Sequence, residues 1–452
     1  MEWMKENFRK YGEKTAIFYQ DMKISYKDLS TRIDEYSDWL GEVGIVPGEV
    51  VAILGDYSID VISMFFALTG NGNIIVPIIS SAPDEMNRML KESYTDAVIT
   101  FSNNVVLERT DSSTTEKHDL IKQIRERSHA GLVLFSSGST GKPKAMLHDL
   151  NILMDSYRGK KEKSLIIIMI LTFDHIGGID TLLRAMGTGS TITIPESREP
   201  SHIGELIETH GVEVLPASPS FLNLLLIAEV HKNYRLSSLK IIGYGAEPMP
   251  QALLERLINV FPNVRFQQKF GTSETNSIRV KSMSDGSLFF RIDDPNIIYR
   301  VIDGELHLKS KTQIIGYLTE TMEQFTEDGW FKTGDLVETT EGGFLRIVGR
   351  NKDIINVGGA KVVPNEVESI LLQMPQIDDC LVYGEDNVII GQIVACDIVL
   401  NKNADVNSIK KEIRKYCREK LDNFKMPTKI NIKNEISSSH RFKKIRHKSV
   451  DI

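Results

Sequence analysis

The stretch LVLFSSGSTGKPKAM, residues 132–146, runs four apolar residues into a loop of hydroxyls, glycines and lysines. Gly138 and Gly141 let the backbone approach a ligand closely, and successive N–H groups in such a loop form an anion nest. Ser136, Ser137, Ser139 and Thr140 add donors, and Lys144 follows with positive charge. That set of groups suits a phosphate. The mononucleotide loop, whose lysine is followed directly by a hydroxyl residue, is excluded because Pro143 follows Lys142. A polar turn after a strand is the plain alternative.

The length and order of this pattern resemble the signature loop of the adenylate-forming superfamily, which includes acyl-CoA synthetases, adenylation domains of nonribosomal synthetases and luciferases. In that family the loop wraps the triphosphate of ATP. Further segments carry the same resemblance. Phe270-Gly271-Thr272-Ser273-Glu274 is similar to a motif whose aromatic residue lies against adenine and whose glutamate binds magnesium. Phenylalanine in place of the usual tyrosine keeps a stacking face and loses a hydroxyl. A single carboxylate suits Mg2+, which retains waters and takes few protein ligands. The turn Gly245-Ala246-Glu247, preceded by Tyr244, corresponds to a loop that packs on adenine and borders the acyl pocket. Asp335 and Arg350 correspond to residues that hold the ribose hydroxyls and orient the nucleotide, and a carboxylate is the natural acceptor for two hydroxyl donors. Lys352 occupies the family's hinge position, and Gly358-Gly359 the segment that lines the thiol (pantetheine) route in acyl-CoA synthetases.

The resemblance is weakest near the C-terminus. The family pattern Pro-x-Thr-x-x-Gly-Lys, followed by an aliphatic residue, carries the lysine that reaches the α-phosphate. Here the text is EISSSHRFKKIRHK. Matching Ser439 to the threonine makes Lys443 the catalytic residue, with Phe442 in place of the glycine; matching on Lys-Ile selects Lys444 instead. Within LTFDHIGGID, Asp174 and His175 fall where the family builds the wall of the acyl pocket. Amino-acid-activating members place an aspartate after the phenylalanine to pair with an ammonium group. A buried carboxylate needs a cation, a proton, a water or a nearby hydrogen bond, so Asp174 is either a substrate contact or a strand-end residue satisfied locally.

The resemblance implies a ligase that uses ATP and Mg2+ to turn a carboxylic acid into an acyl-adenylate, then transfers it to a thiol. Free CoA is the expected acceptor; an acyl carrier protein is the alternative, and a degenerate nucleotide-binding protein is the rival of another class. The segments that match are spread over nearly the whole chain. The chain is short beside most members of the superfamily, which predicts a trimmed N-terminal domain and a modest acyl pocket.

The elements that must position these groups are those of layered α/β domains. The 452 residues are too many for one core, and 41% hydrophobic with 25% charged residues is ordinary globular composition. A net charge of −7 offers no general attraction to nucleic acid or to an anionic membrane. Three cysteines, Cys380, Cys396 and Cys417, fit neither a zinc ribbon nor a disulfide framework, and the start lacks a signal peptide's apolar core. A cytoplasmic protein is expected. Leu165 to Phe173 is about half a membrane span and reads as a strand buried on both faces of a parallel sheet.

Strand-like and helix-like segments alternate. A hairpin-like pair leads into a helix capped at Ser25 to Asp28, with Leu29, Ile33, Tyr36 and Leu40 on one face. Residues 103–128 read as an irregular connection. A boundary near residue 350 divides a large α/β N-terminal domain, 1–350, from a small α+β domain, 351–452; the resemblance implies the same split, with the first domain binding nucleotide and the second mobile. In the latter, Ile409, Ile413, Tyr416 and Leu421 mark an amphipathic helix.

Overall fold

The computed structural model describes residues 1–101, 104–110, 116–136, 143–319, 321–437, 439 and 443–446. Two seven-stranded sheets dominate the larger part. The first runs in the order Arg265–Gln268, Ile241–Tyr244, Val214–Ala217, Ile166–Ile168, Thr191–Ile194, Thr15–Tyr19, Met22–Ser25. Its pairs are parallel except for the last, an antiparallel hairpin. The second runs Gly316–Tyr317, Lys144–Asp149, Gly131–Ser136, Ile74–Ile78, Val50–Leu54, Ala97–Phe101, Val105–Arg109, with parallel pairs in the middle and antiparallel strands at both edges. Parallel strands need helical crossovers, and these cover the faces. The helices Ile59–Asn71 and Ile176–Thr188 share one core with residues of both sheets, among them Ile17, Ile192, Val51 and Ile75.

Local chemistry sets the helix ends. Ser25 and Asp28 form a reciprocal capping box at the start of Tyr26–Glu42, and Leu29, Ile33 and Leu40 are buried on its inner face. Ser58 caps Ile59–Asn71 by accepting from Val61 N, and Gly72, at φ 81°, closes it in the left-handed conformation.

A six-stranded antiparallel sheet follows, in the order Val280–Ser282, Phe290–Ile292, Leu345–Arg350, Phe331–Thr339, Glu305–Ser310, Ile297–Ile302. From Arg350 the chain passes through a single 3-10 turn, Asn351–Asp353, into a separate five-stranded sheet. There Ile377–Asn387 and Gly391–Leu400 make a long hairpin, and Lys429–Lys433 adds in parallel. The helices Pro364–Leu371 and Ile409–Arg418 pack on this sheet in a core of their own. All three cysteines lie buried in that core as free thiols. Burial pushes each thiol pKa up, Cys417 to about 11. Among the contacts between the two parts, Asn223 Nδ2 donates to Asp378 O (3.0 Å), Asn365 Nδ2 to Val348 O (3.3 Å), and Ala252 packs into the smaller core.

Three expectations need correction. Residues 103–128 are not wholly irregular: Val105–Arg109 is an edge strand and Asp119–Glu126 a short helix that buries Ile121 and Ile124. A strand open to solvent and a helix needing only two apolar residues leave little hydrophobic pattern to read. The run from Leu165 forms a strand only over Ile166–Ile168, because beyond it the chain leaves the sheet to build a wall of the cavity described next. The amphipathic helix ends at Arg418, so Leu421 lies past it, and Cys417 takes the third buried position.

Candidate active site

A cavity of about 590 Å³ opens where the carboxyl ends of first-sheet strands, the second sheet and the six-stranded sheet converge. Ligands of parallel α/β sheets characteristically sit beyond such strand ends. The strand Gly131–Ser136 delivers Ser136 to the wall. The expectations for Ser137, Gly138, Ser139, Thr140 and Gly141 lie outside the described residues. Lys144 opens the next strand, buried but reaching the cavity, with its ammonium 5.6 Å from the Tyr317 ring centroid. The Tyr317 hydroxyl lies 3.0 Å from Glu274 Oε1 and 2.8 Å from Gln324 Oε1 and donates its one hydrogen to either.

Glu274 projects from a turn closed by Thr272, whose hydroxyl accepts from Thr275 N at 3.1 Å. Gly271 is required just before it: a Cβ there would stand 2.3 Å from Asn276 O. Among the described residues no three His, Cys, Asp or Glu side chains gather into a metal cage. The donor set, one carboxylate at the wall with Ser136 and Lys144 lining the same cavity, fits magnesium held largely by ligand oxygens and water. Phe270 is mostly buried against Phe290, centroids 5.3 Å apart, and its remaining surface lines the cavity.

Arg350 and Lys352 reach the cavity, whereas Asp335 sits behind it as the buried partner of Arg350 (Nε to Oδ1, 2.9 Å). The two face each other across adjacent strands. Burial raises the Asp335 carboxyl, and Arg350 acts against that rise. Gly245 and Ala246 form part of the wall, Ala246 in the left-handed region at φ 72°. Gly358 and Gly359, at φ 56° and 88°, turn the hairpin between Ile355–Val357 and Ala360–Val362, away from the cavity.

Tyr244, Glu247 and Asp174, like Asp335, Gly358 and Gly359, do not line the cavity. Tyr244 lies in the core behind the sheet, because alternate residues face opposite sides and Gly243 and Gly245 take the cavity side. Glu247 caps the helix Pro219–Ile227, its Oε1 accepting from Ser220 N at 2.7 Å, and it does not line the cavity. Asp174 is buried, accepts from Thr172 Oγ1 at 2.6 Å and does not line the cavity. His175 does reach the wall, while its Nδ1 accepts from Gly177 N and caps Ile176–Thr188. Lys443 lines the cavity beside His175 and Ala246; Lys444 turns the opposite way, into an ion pair with Asp379.

Residues not anticipated also line the cavity: Leu171, Gly177, Pro216, Gly243, Lys269 and Asn276. Lys269 immediately precedes the Phe270 motif. Its stem lies over Gly243, where a Cβ would come within 3.4 Å of its Cε, and its ammonium meets Gln267 Oε1 at 3.3 Å. The Lys269 residue is exposed and lines the cavity, with protein packed around it. Burial pushes its pKa down to about 8, Arg184 pushes the same way, and Asp180 opposes both. Asp180 is itself engaged by Arg184 (3.0 Å) and Tyr157 (2.6 Å). A glycine floor beneath a lysine was the available signal.

A two-sheet nucleotide-type domain with a small C-terminal domain that brings a lysine to the same cavity defines an adenylate-forming enzyme. Residues 4–288 match the AMP-binding enzymes and residues 366–443 the AMP-binding enzyme C-terminal domain. The chain belongs to the AMP-binding enzyme family. A 2-succinylbenzoate–CoA ligase of Oceanobacillus iheyensis is 26% identical over 482 residues, covering 98% of both chains. One from Bacillus cereus is 25% identical over 458 residues, 94% of this chain and 93% of its own. Among solved structures, an anthranilate CoA ligase in complex with anthranoyl-AMP has a TM-score of 0.82 at 20% identity, covering 98% of this chain and 95% of that one. The o-succinylbenzoate CoA synthetase of Bacillus subtilis, in complex with its acyl-adenylate intermediate, has a TM-score of 0.76 at 20% identity, covering 100% and 98%. Among the described residues no helix is long and apolar enough to cross a membrane.

Proposed function

We propose that the protein is an AMP-forming acid–thiol ligase that joins a carboxylic acid to CoA through an acyl-adenylate. The observation that carries this is Lys443, brought by the C-terminal segment into the cavity that Lys144, Glu274 and Arg350 line from the other side. It lies beside His175 and Ala246, and on this reading that is where nucleotide and acid meet.

The acid's carboxylate attacks the α-phosphate of ATP in line, pyrophosphate leaves, and the Lys443 ammonium stabilises charge growing on the α-phosphate oxygens. Lys144 holds the outgoing phosphates together with Ser136 and the loop that follows it. Magnesium bound at Glu274 would offset the charge of those oxygens, with Tyr317 orienting the carboxylate. Arg350, backed by Asp335, holds the nucleotide on the ribose side. Rotation of the small domain about Lys352 then withdraws Lys443 and brings Gly358 and Gly359 to the thiol route, and the CoA sulfur displaces AMP.

Lys269 narrows the class of acid. An ammonium standing over a glycine floor favours a short acid with a second anionic group, and 2-succinylbenzoate, the acid named for the relatives, carries two carboxylates. The test is mass spectrometry of products from ATP, magnesium, CoA and a pool containing glutarate, pentanoate, 2-succinylbenzoate, anthranilate and hydroxy acids. A CoA thioester is expected. Acyl-adenylate without thioester moves the acceptor to a carrier protein, and neither product refutes the reading. Lys443→Ala should cut adenylate formation by about 10²- to 10³-fold, as removal of a charge-stabilising donor does, while a fluorescent ATP analogue still binds. An unchanged rate would remove Lys443 from the chemistry.

A further inference from the structure

Consecutive residues of an extended chain face opposite ways. Lys443 faces the cavity, Ile445 is exposed, and Lys444 and Arg446 both turn into the small domain. Lys444 Nζ donates to Asp379 Oδ1 at 2.7 Å and to Cys380 O at 2.6 Å. Arg446 forks onto Glu368, Nη1 to Oε1 and Nη2 to Oε2 (2.9 Å), and also donates to Val382 O (2.8 Å) and Asn365 Oδ1 (2.7 Å). Its Nε lies 3.9 Å from Asp353 of the turn that joins the two domains. Both basic side chains and both of their carboxylate partners are nearly enclosed. On the other side of the segment, the Lys444 N–H meets Glu247 Oε2 of the large domain at 3.4 Å.

We propose that Lys444 and Arg446 are positioning residues whose paired grip on Asp379 and Glu368 fixes the backbone of the segment and thereby aims Lys443 into the cavity. The proposal rests on Lys443 acting in adenylate formation. An aliphatic residue, which the superfamily pattern places after the lysine, holds a segment by packing, and packing is not directional. An ammonium shared between a carboxylate and a carbonyl, and a guanidinium forked onto a second carboxylate two residues later, fix both position and rotation of the strand between them. The glycine that normally precedes the lysine is Phe442 here. The two-point ionic grip supplies the orientation instead. Because the side-chain partners belong to the small domain or its connecting turn, Lys443 is carried by that domain and by nothing in the large one that a side chain of the grip holds.

The grip should matter to the half-reaction that uses Lys443 and not to the one that does not. A misplacement of about 1 Å near reacting atoms costs about 10²-fold in rate. The wild-type protein is first assayed for acid-dependent ATP–pyrophosphate exchange with the pool above. No exchange with any acid refutes the adenylation reading itself, before any variant is made. Lys444→Met and the double variant Lys444→Met/Asp379→Asn, which removes the carboxylate charge left unpaired, are then compared in exchange and in CoA-dependent consumption of supplied acyl-adenylate. The expected result is exchange lowered about 10²-fold in both variants, with little change in KM for ATP and thioester formation from supplied adenylate within about twofold of wild type. Unchanged exchange in either variant overturns the proposal. Equal loss of both half-reactions in the double variant overturns it too, because the pair would then hold the domain together without aiming Lys443.

Discussion

Replacing Lys269 by methionine keeps the length of the side chain over Gly243 and removes its charge, so the experiment isolates the ammonium. Two unit charges about 4 Å apart attract by about 4 kcal/mol at an effective dielectric of 20, and the cavity's water lowers that. A hydrogen bond to a charged group nets about 1.5–3 kcal/mol, which is a factor of about 10 to 10². Glutarate and pentanoate have the same chain length and differ in the second carboxylate. The ratio of their kcat/KM values, read by pyrophosphate release, should fall about 10- to 10²-fold in Lys269→Met, chiefly through glutarate. A second signature comes from pH. The Lys269 pKa is pushed down to about 8, so the ammonium is present below that pH and lost above it. Since kcat/KM reports ionisations of the free enzyme, the wild-type ratio should be level below pH 8, fall as pH rises past it, and stay flat in Lys269→Met. Lys443 and the phosphates affect both acids alike and cancel. A ratio that the substitution leaves in place, or that stays flat through pH 8 in the wild type, would refute the assignment of Lys269 to the second anion.

Gly178 lies in the first turn of Ile176–Thr188, where a Cβ would stand 2.1 Å from Thr172 O and 2.7 Å from the Tyr57 hydroxyl. Gly178→Ala should lower stability by about 1–3 kcal/mol through overpacking against backbone, despite the better helix propensity of alanine. Gly41→Ala, with open space around the new Cβ, should not; thermal unfolding of the two variants decides. His148 is buried, and burial lowers its pKa to about 4. The unfolded chain therefore takes up a proton near pH 6.5 that the folded chain refuses. Stability should fall as pH drops from 6.5 toward 4, by about 3 kcal/mol in all for a shift of this size. Urea unfolding of wild type minus His148→Gln across that range should show the slope, and a level difference would contradict it.

What could be read from the chain follows how local the cause is. The capping box at Ser25 and Asp28, and the glycine turn at 358–359, depend on residues adjacent in sequence, and both are there in the fold. The strand Val105–Arg109 is fixed by pairing with Ala97–Phe101 and faces solvent, so its residues carry little apolar pattern. Lys144, Glu274, Arg350 and Lys443 all line the cavity, and each was named from a motif of residues adjacent in sequence. Asp174, Tyr244 and Glu247 were misplaced by one side-chain direction: in each case a neighbour faces the cavity and the named residue faces away. Lys269 was missed because its significance comes from Gly243 on the adjoining strand, 26 positions earlier in the chain.

The fate of the chain's own sulfur bears on this chemistry. An acyl-adenylate is an electrophile made to be captured by a thiol, and a protein that produces one is itself exposed to acylation. The attacking species is thiolate, not thiol. Cys380, Cys396 and Cys417, the three cysteines of the sequence, are all sealed in the small domain's core and held protonated there. None of them lines the cavity. The product is thereby kept for a sulfur that arrives from outside, and the small domain carries its thiols without offering them as rivals.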